Sequence, residues 1–166
     1  VNVSARQLLQ PRIAARVQRA VHSHGIEPDR LLLELTETML IEDSEAVAAA
    51  LWSLRALGTS LALDDFGTGF ASLGYLKRVP VDCIKIDQSF VRDVGADRES
   101  EAIVESIIAI GRKLRLHVIG EGVETEGQLR FLEARGCHAA QGYLLGRPAL
   151  LSALVLGVIE GLTEFI

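Results

Sequence analysis

Ser60-Leu-Ala-Leu-Asp-Asp-Phe-Gly-Thr-Gly69 runs from an apolar triplet straight into two adjacent carboxylates and then two glycines. Leu61, Ala62 and Leu63 have the character of a short buried strand. Asp64 and Asp65 follow where that strand is expected to stop, and Gly67 and Gly69 allow a sharp, mobile turn. Neighbouring side chains on a strand point to opposite faces, so two adjacent acids share one task only where the chain has begun to curl. Oxygen donors of this kind suit hard divalent cations, and a pair of acids at a strand end can hold two of them close together. Alone, the stretch reads equally as a solvated turn. Its surroundings in the sequence separate the two readings.

Upstream, Leu31 to Leu35 makes a second apolar strand running into Thr36-Glu37. Asp43 or Ser44 can cap the Ala- and Leu-rich helix that follows, which stops at Gly58. Further back, Ile13, Val17, Ala20 and Val21 recur at helical spacing within a helix from about Ala5 to His24, with Pro11 in its first turn and Gly25 as its stop. Val1-Asn-Val-Ser4 reads as a strand end. Downstream come a short helix over 72–78 halted by Pro80, and a strand from Cys83 to Asp87. A long amphipathic helix from Arg98 to Leu114 is expected to turn Ile103, Ile107, Ile108 and Ile110 inward. The strand His117 to Glu121, a helix capped by Thr125 and ending at Arg135, and a sixth strand from Ala139 to Leu144 complete the pattern.

Strands alternate with helices and are apolar almost throughout, as in a parallel sheet covered on both faces. A closed barrel and an open doubly wound sheet both fit that order. Asn2, Glu34, Asp64, Lys85, Glu121 and Gln141 each fall within or at the end of a different strand, and a barrel would bring all six to one mouth. The expected fold is therefore α/β, a TIM-type (β/α)8 barrel that is incomplete, with about six βα units present and the N-terminal strands missing.

The 166 residues are 49% hydrophobic and 23% charged, the composition of one globular domain with a large core. A net charge of -5 gives no electrostatic footprint for duplex nucleic acid. It is compatible with a small phosphodiester if cations supply the positive charge. Cys83 and Cys137 read as buried thiols, which points to a reducing cytoplasm. His22, His24, His117 and His138 lack metal-ligand spacing; the first pair is expected to be exposed and the second structural. No signal peptide and no initiator Met precede Val1, so the chain is expected to begin inside a longer protein.

Six motifs occur in order: Val1-Asn-Val-Ser4, Glu34-Leu-Thr-Glu37, Asp64-Asp-Phe-Gly-Thr-Gly69, Lys85-Ile-Asp87, Glu121-Gly-Val-Glu-Thr125, and Gln141-Gly-Tyr143 leading to Arg147-Pro148. Together, over residues 1–148, they resemble the EAL domain family, bacterial phosphodiesterases that linearise cyclic di-GMP to pGpG. The resemblance implies a two-metal site for Mg2+ or Mn2+, with Asn2, Glu34 and Asp64 around one ion and Asp64, Asp65 and Glu121 around the other. Such a pair clamps a phosphate and acidifies water for in-line attack. The implied catalytic residues are Lys85, Glu121, Gln141 and Glu37. Lys85 would hydrogen-bond the water or stabilise charge on the phosphorane, Gln141 would orient water or ligand, and Glu37 would anchor the loop from Phe66 to Leu73. Asp87, Gln141 and Arg147 are the implied substrate contacts, and Glu124 lies beside them. The implied partners are cyclic di-GMP and a second copy of the chain, docked through the loop after Asp65. Membrane attachment is expected only through other parts of a parent protein. Each residue taken alone has a plainer reading: Lys85 as a strand lysine reaching solvent, Glu121 as a turn acid, Gln141 as a core amide, Asn2 as a strand-end residue, Glu37 as a helix-end charge.

The chain departs from the family's pattern in two places. The Glu-Ala-Leu segment that gives the family its name, source of a further metal carboxylate and a phosphate-binding arginine, is absent. One metal would then lack a ligand and the first strand would expose an edge. The chain is therefore expected to be inactive or very slow by itself, and marginally stable or prone to associate. A degenerate member that binds cyclic di-GMP or a partner protein without cutting is the rival reading. Second, residues 149–166 are nearly all apolar where the family continues into a more polar helix. They are expected to form a C-terminal helix, too short and acidic to span a membrane, with Leu154, Val158 and Leu162 against the barrel. From Leu154 to Phe165 this tail resembles the start of the undecaprenyl-pyrophosphate phosphatase family, whose later serine and arginine motifs the chain lacks.

Overall fold

Five parallel strands, paired in the order in which they occur in the chain, form the wall of the molecule. The computed structural model describes residues 1–40, 45–69 and 73–146. The elements are α1 (Ala5–Leu8), α2 (Ile13–Ser23), β1 (Leu32–Thr36), a 3-10 turn (Glu37–Leu40), α3 (Glu45–Arg55), β2 (Ser60–Phe66) and α4 (Leu73–Leu76). They continue with β3 (Cys83–Ile86), α5 (Gln88–Arg92), α6 (Arg98–Leu114), β4 (His117–Gly120), α7 (Glu126–Ala134) and β5 (Ala139–Ala140). A doubly wound sheet reverses its strand order at a switch point. This one never does, so the wall is that of a barrel and the incomplete α/β barrel expectation holds. Asn2 pairs with Glu34 as an isolated parallel bridge, a sixth strand position beside β1.

The core lies between the sheet and the helices. Leu33, Leu35, Leu61, Leu63, Ile84 and Ile86 point outward from the strands and are at most 3% exposed. They meet the apolar stripes of α2, α3 and α6 in one continuous cluster. Gly111 lets α6 lie directly on β4, since a Cβ there would sit 2.3 Å from Cγ2 of Val118.

Several local expectations change. The helix over 5–24 is two helices: a capping box of Ser4 and Gln7 opens α1, and α2 starts only after Arg12, whose φ of 62° is left-handed. Pro11 therefore sits in the break, where its missing N–H costs no helical hydrogen bond. In α6 the inward stripe is Ser100, Val104, Ile107, Ile108 and Gly111, while Ile103 is 36% exposed. The sixth predicted strand shrinks to Ala139–Ala140 because the chain then crosses over the 121–123 turn, with Val123 N–H donating to Gln141 O. Gly142 permits that crossing: a Cβ would fall 2.2 Å from the Val123 backbone. The short α5 was not foreseen; Asp87 caps it by accepting from Ser89 N–H at 2.9 Å. The predicted Asp43 or Ser44 cap and the predicted helix over 149–166 lie outside the described residues.

Candidate functional site

Strand alternation decides which side chains share the inner face of the sheet. Leu33 and Leu35 face the helices, so Glu34 between them faces inward. Asn2 pairs with Glu34, and Thr36 pairs with Asp64, which places Asn2 and Asp64 on the same face. Lys85 lies between the outward Ile84 and Ile86 and pairs with Ile119. Two residues beyond Ile119, Glu121 is inward too. Period two has thus brought residues from 2 to 121 to one side and one end of the sheet.

Lys85 joins them. Its Nζ lies 3.0 Å from Glu34 Oε1, 3.0 Å from Asp64 Oδ1 and 2.5 Å from Glu121 Oε1, and its side chain is 4% exposed. Burial alone would lower its pKa, but the partnerships with Glu121, Asp64 and Glu34 outweigh burial and hold the ammonium above the ordinary lysine range. Lys85 is therefore a hydrogen-bond donor and a fixed positive charge here, and the plain reading of a lysine reaching solvent is excluded. Burial, joined by the charges of Asp64 and Glu34, raises the Glu121 carboxyl even against the pull of Lys85. Gln141 Nε2 donates to Glu121 Oε1 at 2.5 Å, which fixes that carboxylate from the other side.

The two adjacent aspartates behave differently from the expectation that the strand stops before them. Strand β2 continues to Phe66, with a shift of register against β3 between Leu63 and Phe66. Within that bulge Asp65 has a φ of 53°, the left-handed conformation that aspartate tolerates better than most residues. The kink turns Asp65 toward the side of Asp64. Burial, the Asp64 charge and a hydrogen bond with Asp87 together raise the Asp65 carboxyl. Burial disfavours ionised Asp87 as well, yet hydrogen bonds from the Ser89 hydroxyl and amide hold it below the usual carboxylate range. Ser89 is a residue that sequence reasoning passed over; the Asp-x-Ser spacing of a capping turn was the available signal.

Glu37 is 4% exposed, and its Oε2 accepts from Gly67 N–H and Gly69 N–H, each at 3.2 Å. Its carboxylate thus braces the backbone of the turn that follows Asp65. Gly67 in turn rests on Phe90 and Ile107. His22, His24 and His117 are exposed, and His138 Nδ1 accepts from Val118 N–H at 3.0 Å. Arg147 lies outside the described residues.

Asp64, Asp65 and Glu121 each offer an oxygen, and the three lie within 4.8 Å of one another. Asp64 Oδ1 is buried and faces the Lys85 ammonium at 3.0 Å, with no other hydrogen-bond donor among the described residues. A hard cation wants such an all-oxygen, acid-rich set with an unused lone pair. Three carboxylates on one ammonium, with Asp65 beside two of them, leave negative charge for a cation to neutralise. The residues fit a divalent metal.

The EAL domain model matches residues 1–148. The chain belongs to the EAL domain family. It is 43% identical over 158 residues to MucR of Pseudomonas aeruginosa, a bifunctional diguanylate cyclase and cyclic di-GMP phosphodiesterase. That match covers 95% of this EAL chain and 23% of the relative, so the chain spans about a quarter of that protein's length. The solved PaMucR phosphodiesterase in its c-di-GMP complex superposes with a TM-score of 0.84 at 44% identity, covering 89% of this chain and 60% of that one. BlrP1 of Klebsiella pneumoniae, solved with manganese and cyclic di-GMP, gives 0.79 at 34% identity, over 86% of this chain and 37% of that one.

Proposed function

We propose that this EAL chain hydrolyses cyclic di-GMP to linear pGpG with the help of two divalent cations, Mg2+ or Mn2+. Asn2, Glu34 and Asp64 would hold one and Asp64, Asp65 and Glu121 the other. Bound there, they would supply Lewis-acid charge that polarises a phosphate and makes water more acidic. The observation that carries the reading is the meeting of Glu34 of β1, Asp64 of β2 and Glu121 just after β4 on one buried ammonium. Lys85 keeps its proton and aims it at the same space, so it stabilises negative charge growing on a phosphoryl oxygen. Gln141 holds Glu121 in one rotamer through its amide. Glu37 fixes the turn after Asp65 through the Gly67 and Gly69 amides, and that turn is the face through which a second copy would dock. Asp87, Gln141 and Arg147 are the proposed substrate contacts. No helix among the described residues is long and apolar enough to cross a membrane, and a cytoplasmic site of action suits this nucleotide.

The test is product analysis on the longest form of the protein that carries this chain, with cyclic di-GMP and Mg2+ or Mn2+. Linear pGpG should accumulate, and Asp64→Asn should slow it at least about 100-fold. Binding of cyclic di-GMP with no pGpG in either metal would replace the enzyme with a nucleotide-binding module.

A further inference from the structure

Residues 1–26 contain four arginines, two histidines and no carboxylate, in a chain whose net charge is -5. Arg6, Arg12 and Arg19 are exposed and Arg16 is half-buried. Among the described residues no carboxylate pairs with any of them; the arginine ion pairs are made by Arg55, Arg92, Arg130 and Arg135. This basic surface adjoins an apolar one, because α2 packs beside α3. The outward face of α3 carries Ala46, Ala49 and Trp52, continuing to Ala56, all exposed, with Trp52 at 57%. A surface helix normally turns polar residues to that side.

The strip continues beyond α3. Trp52 Nε1 donates to the Arg78 carbonyl at 3.3 Å, which ties the indole to the turn after α4. Lys77 of that turn joins Ala109, Ile110, Lys113 and Leu114 of α6 around an apolar cavity of 360 Å³. Both lysines are exposed, and among the described residues neither is in an ion pair. Lysines with stems on an apolar floor, a half-emerged tryptophan and flanking arginines are the chemistry of a water–lipid boundary. Duplex nucleic acid would use the cations but has no use for the alanine face or the apolar cavity. On α2 and α3 the nearest acids along the chain are Glu27 and Asp29, in the turn after α2, and Glu45, the first residue of α3. On α6 the nearest is Glu105, one turn before Ala109, and it is paired with Arg135.

We propose that this strip, running from α2 across Trp52 to the Lys77–Lys113 cavity, docks on an anionic membrane surface. The chain then makes a lipid contact of its own, besides any made by the rest of a parent protein. Trp52 is the sole tryptophan, so its emission reports the contact directly. The chain is titrated at low salt with vesicles of phosphatidylcholine, with and without phosphatidylserine. A blue shift, and quenching by brominated acyl chains, should occur with the anionic vesicles alone. Both should reverse at about 0.5 M NaCl, where charges are screened within a few ångströms. Arg12→Gln with Arg19→Gln should weaken vesicle association about thirty-fold. Trp52→Ser should weaken co-sedimentation several-fold with an unchanged circular dichroism spectrum. No shift with anionic vesicles, or an equal shift with neutral ones, overturns the proposal. So does duplex DNA that shifts Trp52 emission at lower concentration than the vesicles do.

Discussion

Replacing Lys85 with methionine keeps an unbranched side chain, one atom shorter, and removes the charge on which Glu34, Asp64 and Glu121 converge. At an effective dielectric of about 20, each contact near 3 Å corresponds to about 5 kcal/mol of attraction. Desolvation of the buried ammonium offsets much of the sum, and removing one partner of a buried ion pair typically costs 3–5 kcal/mol. The carboxylates are 13–18% exposed, so water and protons relieve part of the repulsion that remains. A loss of about 3 kcal/mol is expected, a large share of the roughly 5–15 kcal/mol that holds a domain together. Urea unfolding at pH 7 in EDTA measures it as a lower midpoint at constant slope. Added Mn2+ should restore more stability to Lys85→Met than to the wild type, since a cation can take the place of the missing charge. A loss under about 1 kcal/mol in EDTA, or equal stabilisation of both proteins by Mn2+, would refute the picture of one ammonium balancing three acids.

Glu37→Ala frees the Gly67 and Gly69 amides. Mn2+ affinity by calorimetry should fall about ten-fold, as for other residues that brace metal ligands, while the fold persists. Burial, with the Asp82 charge second, pushes the Cys83 thiol up to about 11 from 9.0. An unfolded thiol ionises first, so the stability this adds is complete below pH 9 and drains away between pH 9 and 11, by up to about 3 kcal/mol. Cys83→Ala should flatten the stability profile in that window. Gly142→Ala places a methyl 2.2 Å from Val123 N and O and must displace the 121–123 turn. Its melting temperature should drop by several degrees, the mark of about 2 kcal/mol of overpacking.

The barrel was readable because a parallel sheet leaves so few polar residues on its strands that Glu34, Lys85 and Glu121 stand out against their apolar neighbours. The boundaries of α6 and α7 were readable too, since Asp97, Thr125 and Gln128 form caps whose chemistry is local. Less was visible where distant packing decides. Nothing near Ala139 announces that the chain will cross over Val123, and nothing in β2 announces a register shift against a strand some twenty residues away. Ile103 and Val104 are equally apolar, and only the arrangement of the sheet chooses Val104 for the core. Net charge concealed a separation of charge: acids occur on the inner face of the sheet and on the later helices, whereas the first two helices carry none.

Because every strand pairs with the one before it in the chain, the wall can be laid down in the order in which a ribosome delivers it. Each βα unit finds its neighbour already present, so successive strands pair across a single crossover. The cost of that convenience falls on the carboxylate end. Glu34 and Asp64 must wait for Glu121 to emerge, so the nascent chain holds an acid-lined, half-built rim until β4 and the turn after it have been made.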